Sequence, residues 1–284
     1  MIKFTNKRGE SIIFNQIGSP FGLNNFNGLG DVEADVQMSK SPFQDGSTYI
    51  DSLLSTRAIN FDVTIFGTDD TDISRKRSQL SSVFNPKLGV GLLEYHYGDV
   101  VREIYAVPEH VPVFGAGFEN RGRRHQKALI DLICPSPFWQ DINPTIIKLQ
   151  DFVGNFFFPI SFPASFSIRG DVENLLNAGD VSTPINVTFR GESVNPVITK
   201  VATGEFIRIN RTIPAEHSLI ITTGFNEKSV KIIDPYGVES NAMGYIDLDS
   251  TFMSLDVGEN KLSFITDGGS PEVFIEYRNL YLSV

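Results

Sequence analysis

Between residues 58 and 66 the chain alternates strictly, so that Ile59, Phe61, Val63 and Ile65 fall on one face and Ala58, Asn60, Asp62 and Thr64 on the other. A period of two is the mark of a strand with one buried face. After Gly67 and an acidic stretch, Thr68-Asp69-Asp70-Thr71-Asp72, the period changes. Ile73, Leu80, Val83 and Phe84 recur at helical spacing until Asn85-Pro86 stops the run, which predicts one amphipathic helix. Its acids gather at the positive end of the helix dipole, with Arg75, Lys76 and Arg77 one turn later. The apolar runs 92–97 and 100–107 flank Gly98-Asp99, a pair suited to a two-residue hairpin turn. A loop through Pro108, Pro112 and Gly115-Ala116-Gly117 leads to one more strand, 127–134.

From residue 135 to about 165 the periodicity fails. Pro137, Pro144, Pro159 and Pro163 interleave with Phe152, Phe156, Phe157, Phe158, Phe162 and Phe166, as expected of a connection that packs between domains. Beyond it, short β-rich runs at 166–169, 185–189, 197–201, 205–210, 218–223, 229–233, 261–265 and 273–281 are separated by Gly, Asn, Asp and Pro, with no helical pattern. The expected fold is therefore mostly β. It has an N-terminal sheet or barrel-like domain with one α-helix over 1–141, a linker over 142–165, and a C-terminal antiparallel β-sandwich of jelly-roll, galectin-like or carbohydrate-module-like type over 166–284.

Charge narrows the function classes. The chain of 284 residues has a formal net charge of -10, with 14 Lys/Arg against 17 Asp/Glu in residues 1–141 and 10 against 17 in 142–284. Neither half is basic enough to grip phosphates, and the local cluster Arg121, Arg123, Arg124 and Lys127 reads as a solvated loop. No apolar run reaches the length of a membrane span, so no membrane insertion is expected. The start of the chain lacks the pattern of a signal peptide, and the lone Cys134 has no partner for an internal disulfide. Both features fit synthesis in a reducing cytoplasm. Cys134 lies in an apolar run, where a buried inert thiol is expected rather than a nucleophile.

Candidate chemistry is sparse. His96, His110, His125 and His217 show no metal-binding spacing, and the chain has no nucleophile elbow and no glycine-rich phosphate loop. Asp247-Leu248-Asp249-Ser250-Thr251 matches the DxDxT pattern of haloacid dehalogenase-like phosphatases. Only 33 residues follow it, and no alternating βα pattern surrounds it. Asp247, Asp249 and Asp256 could ligate Ca²⁺, but the glycine and terminal Glu of an EF-hand loop are missing. Paired carboxylates of a glycosidase cannot be placed from sequence. The expectation is a non-enzymatic protein with no catalytic residue, cofactor or metal.

The order of elements in the first half resembles the N-terminal domain of the distal tail (Dit) family of long-tailed phages and prophages of Gram-positive bacteria. The resemblance is carried by Gly28-Leu29-Gly30, the strand through Arg57, Phe61, Phe66 and Gly67, and the helix with Arg75-Lys76-Arg77 and Leu80. It continues through Phe84-Asn85-Pro86-Lys87 and Gly89-Val90-Gly91-Leu92, and ends in Cys134-Pro135-Ser136-Pro137-Phe138-Trp139. It implies a structural hub in the baseplate at the virion tail tip, a homohexameric ring that joins the tail tube protein to a tail-associated lysin or fibre protein, and to a receptor-binding protein. DNA would pass through without specific binding. Ring closure requires contacts between copies, and the segments 58–66 or 45–57 are the expected contributors, with Arg57, Ile59, Phe61 and Val63 as candidate interface residues. The alternative is a carbohydrate-binding module that recognises host wall saccharide. Its candidate contacts are Tyr236, Tyr245 and Phe252, in the loop region 234–256.

Overall fold

The computed structural model describes residues 1–149 and 170–284, and the phenylalanine-rich run from Phe152 to Phe166 and the strand expected at 166–169 lie outside these. The chain forms two compact units: residues 1–142 together with the last four residues, 281–284, and residues 143–280. Each is built of antiparallel sheets, so the protein is mostly β, with one α-helix among the described residues.

In the first unit the strands are β1 (Ile2–Thr5), β2 (Ser11–Phe14), β3 (Phe21–Asn27), β4 (Ala34–Ser39), β5 (Thr48–Leu54), β6 (Arg57–Phe66), β7 (Gly91–Tyr97), β8 (Val100–Pro108), β9 (Val113–Phe114), β10 (His125–Cys134) and β11 (Trp139–Asp141). The main sheet runs β2-β1-β7-β8-β10-β6-β3. β6 and β10 pair over their whole lengths, from Arg57 opposite Cys134 to Phe66 opposite His125. Their alternation buries Ile59, Phe61, Val63 and Ile65 against Ala128, Ile130 and Leu132. Gly98 adopts φ 57°, which lets β7 and β8 join as the expected hairpin.

The barrel-like expectation needs correcting, because the sheet stays open. Its two ends, β2 and β3, are consecutive in the chain yet do not pair. Asn15 between them turns at φ 54°, and its side-chain carbonyl accepts the Leu23 N–H at 2.8 Å, taking a donor that a closing ladder would use.

The helix α1 (Asp70–Val83) starts where expected. Asp69 caps it by accepting the Asp72 N–H, and Ile73, Leu80 and Val83 face the core. Phe84, just past its end, stacks on Phe4 at 4.5 Å. From there a run of aromatic contacts passes through Phe14, Phe61, Phe26 and Tyr95 to Trp139. This cluster is the heart of the first unit.

Arg57 lies in the same inward row as Ile59 and is 1% exposed. Its guanidinium donates to the carbonyls of Pro137 (2.8 Å), Gly28 (2.8 Å) and Leu282 (2.5 Å). Gly28 has φ +99°, and a Cβ there would meet the Ala58 carbonyl at 2.5 Å, so only glycine turns tightly enough to offer its carbonyl. The returning C-terminus is held again by Arg102, which donates to the Ser283 carbonyl and lies 3.5 Å from the centre of the Tyr281 ring.

The second unit has its own core. One sheet orders Thr145–Leu149, Glu272–Tyr277, Thr183–Arg190, Ser218–Thr222, Ser229–Ile233 and Glu239–Asn241. The other orders Gly170–Asn177, Gly258–Ile265, Val197–Lys200 and Phe206–Arg208. Their inward residues, such as Val187, Ile221, Ile275, Ile198, Ile207 and Leu262, meet in one cluster, as in a sandwich. Thr145–Leu149 falls within the span 142–165 read as a linker, yet it pairs with Glu272–Tyr277. Its alternation over five residues was masked by the prolines around it.

Replacing Arg57 with Met should destabilise the first unit by about 3 kcal/mol or more, because three carbonyls lose a charged donor. Deleting residues 281–284 should overlap with that loss, so the double change falls short of the sum. Urea unfolding followed by Trp139 emission checks this, since the single tryptophan is buried in this unit.

Candidate functional site

The most unusual surface in the first unit is the hairpin β4–β5. It forms a two-stranded sheet of its own, and every residue of both strands is exposed. The exposed residues include Val36, Met38, Tyr49, Ile50 and Leu53, and Phe43 projects fully at the turn. Isolated two-stranded hairpins are at best marginally stable in water, and a cluster of apolar side chains on one is a mark of an interaction surface. The hairpin leaves the sheet after β3 and re-enters at Arg57. The sequence signal for it is weak: the segment 45–57 is an expected contributor to contacts between copies, but the run 34–39 is polar enough to pass for loop.

The candidate interface residues are placed differently. Arg57, Ile59, Phe61 and Val63 are each 1% exposed or less, so they hold the fold and their side chains have no surface to offer a neighbour. Of the candidate saccharide contacts, Tyr236 stands 92% exposed in the turn between Ser229–Ile233 and Glu239–Asn241. Tyr245 lies beneath the Arg211 guanidinium at 4.2 Å, and Phe252 packs on the core with Lys228 over its ring. Two of the three rings are thus covered, and Tyr236 stands free.

A groove of about 490 Å³ lies on the other side of the second sheet of this unit, over Val197, Thr199, Phe206, Arg208 and Ile265. Two of its polar side chains are matched: Asn195 donates to Asp267 at 2.8 Å, and Arg208 pairs with Asp247 at 3.6 Å. Asp247 also accepts the Asp249 N–H, whereas Asp256 pairs with Lys200 at 2.6 Å, so Asp247 and Asp256 are held by different cations. No group of three or more His, Cys, Asp or Glu among the described residues could hold a metal ion. None of the described helices is long and apolar enough to cross a membrane.

Cys134 is fully buried opposite Arg57, and burial pushes its thiol up to about 12 despite the nearby guanidinium. The same burial lowers the Arg57 pKa. Arg57 therefore keeps its charge in the core through the carbonyls that replace its water.

Two family models match. The first, a phage tail protein RIFT-related domain, covers residues 7–134, and the second, the C-terminal domain of siphovirus-type tail components, covers residues 178–281. Similar solved structures include the Dit protein of phage SPP1, described as a paradigm of the hub adsorption apparatus in phages infecting Gram-positive bacteria. It has 12% identity and a TM-score of 0.70, with 99% of each chain covered. A chain of the phage P2 baseplate in its activated conformation with Ca has 11% identity and a TM-score of 0.57, over 98% of this chain and 97% of that one. The corresponding baseplate with Sr gives 10% identity and a TM-score of 0.55, over 97% and 98%. No curated protein matches. The open sheet with its helix and hairpin, followed by a sandwich, is thus the fold of a siphovirus-type tail component. Within that class the chain belongs to the distal tail (Dit) family.

In native protein at about pH 8, Cys134 should react with a thiol reagent at least about a thousandfold more slowly than after denaturation, since so little of it is thiolate. Time-resolved labelling with and without urea measures the ratio. Equal rates would contradict the burial.

Proposed function

We propose that copies of this chain close into a six-membered ring at the virion tail tip, the hub that joins the tail tube protein to the lysin or fibre protein and to any receptor-binding protein. The hub role in a phage tail follows from the family and from the likeness to baseplate proteins. The ring rests on one observation, the hairpin β4–β5, none of whose strand residues is buried within its own chain. Its outer edges carry unpaired N–H and C=O groups that can continue onto a neighbour's sheet, and its apolar side chains gain burial there. In a ring the hairpin of one subunit meets a different surface on the next, a heterologous contact, and such contacts close when the rotation permits. The interface thus moves from the row Arg57, Ile59, Phe61 and Val63 to the hairpin just before it.

A net charge of -10 suits a channel for DNA, since like charge keeps a polyanion from sticking to the wall. The role proposed is structural, without catalysis, for a protein made in the host cytoplasm. The wall-saccharide reading has less support, because the Tyr245 ring is covered by the Arg211 guanidinium and the Phe252 ring packs on the core under Lys228, which leaves Tyr236 as the one freely exposed ring of the three.

Replacing residues 34–54 with a short Gly-Ser linker should turn the ring into monomer, with Trp139 emission and the circular dichroism of the remaining strands unchanged. Light scattering and negative-stain electron microscopy read the outcome. A wild-type protein that stays monomeric at high concentration, or a deletion variant that still forms rings, would overturn the proposal.

A further inference from the structure

The paired strands β6 and β10 carry opposite charges at their two ends. At the Arg57 end the chain enters the hairpin segment, where Asp31, Glu33, Asp35, Asp45 and Asp51 are all exposed and only Lys40 opposes them, five acids less one base leaving -4. At the Phe66 end, the loop leading into β10 and the first residues of that strand expose Arg121, Arg123, Arg124 and Lys127 against Glu119, four bases less one acid leaving +3. Ten residues of strand separate the two ends, about 30 Å at the usual rise.

The cationic loop is built rather than loose. Gln126 is 1% exposed, and its amide donates to the carbonyls of Gly115 and Lys127 at 2.9 Å and approaches that of Asn120 at 3.2 Å. The Gly67 N–H donates to the Arg124 carbonyl, and Arg121 bridges to Gln126. No ion pair among the described residues involves the four cations. The neighbouring helix start does not neutralise them, because Asp69, Asp70 and Asp72 are balanced by Arg75, Lys76 and Arg77, and Asp72 is paired with both Arg75 and Lys76. In a chain whose net charge is negative, four uncompensated cations on a fixed loop await an acidic surface.

We infer that this acidic surface is the hairpin of a second copy: the hairpin of one molecule docks on the loop 121–127 of the next. This rests on the ring reading and names its receiving face. Within one molecule the loop and the hairpin base lie at opposite ends of the strand pair and do not meet. Between molecules, a subunit negative at one end and positive at the other associates head to tail, the heterologous arrangement that a ring requires. Complementary potentials fix the partner face and register and disfavour head-to-head pairing.

A charge exchange tests this. One variant carries Arg121→Glu, Arg123→Glu and Arg124→Glu; the other carries Glu33→Lys, Asp35→Lys and Asp51→Lys. All six side chains are exposed, and Trp139 emission verifies the fold of each variant. Each alone should require at least about tenfold more protein to assemble than wild type, since both its docking faces then carry the same sign. An equimolar mixture should restore rings of wild-type mass, with the two variants alternating. A mixture that fails to assemble while wild type does, or a single variant that assembles like wild type, overturns the docking and leaves the ring standing. A wild-type monomer overturns the ring itself, and the docking falls with it. If loop reversal leaves assembly intact but abolishes retention of a short DNA duplex, the loop's partner is nucleic acid and the inference is wrong.

Discussion

A buried positive charge organises the first unit. The Arg57 guanidinium has left water, and carbonyls from three distant stretches, at Gly28, Pro137 and Leu282, take water's place. Losing a charged donor leaves such acceptors unsatisfied at a cost of about 1 to 3 kcal/mol each, so the segments are obliged to converge. One of them is the C-terminus of the whole chain. Residues 143–280 are thereby covalently attached to the first unit at both ends, because the last four residues must return to satisfy the arginine. The same demand fixes the tight turn at Gly28, and from that turn the chain departs into the hairpin.

The hairpin is the counterpart of this over-determined core. Its strands satisfy one another's inner edges and none of their residues is buried, which a stable monomer has no reason to retain. The proposed assembly would supply one. A ring of subunits can bury apolar side chains that a single subunit leaves in water, and the charges around them can decide which faces meet. The two units also differ: the first carries the hairpin that stands apart from its sheet, whereas the second closes its two sheets on a core of their own.

Much of this was legible in the residues. Strict alternation over 58–66 placed Ile59 to Ile65 on one face, and the acidic run before Ile73 placed the helix, because both patterns reflect local geometry that needs no knowledge of distant segments. The surroundings of the saccharide candidates were not legible, for the opposite reason. Tyr236, Tyr245 and Phe252 are near in sequence, but a loop among strands sends neighbours to a turn, to a cation and to the core.

The residues by themselves determined the class of fold, the strand and helix of the first half, and the family pattern from Gly28 to Trp139. Tertiary structure alone decided which of those residues face solvent. The inward row of β6 extends one step further than the apolar pattern, to Arg57, and an arginine ordinarily signals surface. Only the convergence of three carbonyls from far along the chain makes the interior habitable for it. The hairpin was hidden likewise: its strands are defined by pairing with each other, not by a buried face, so no hydrophobic period announced them.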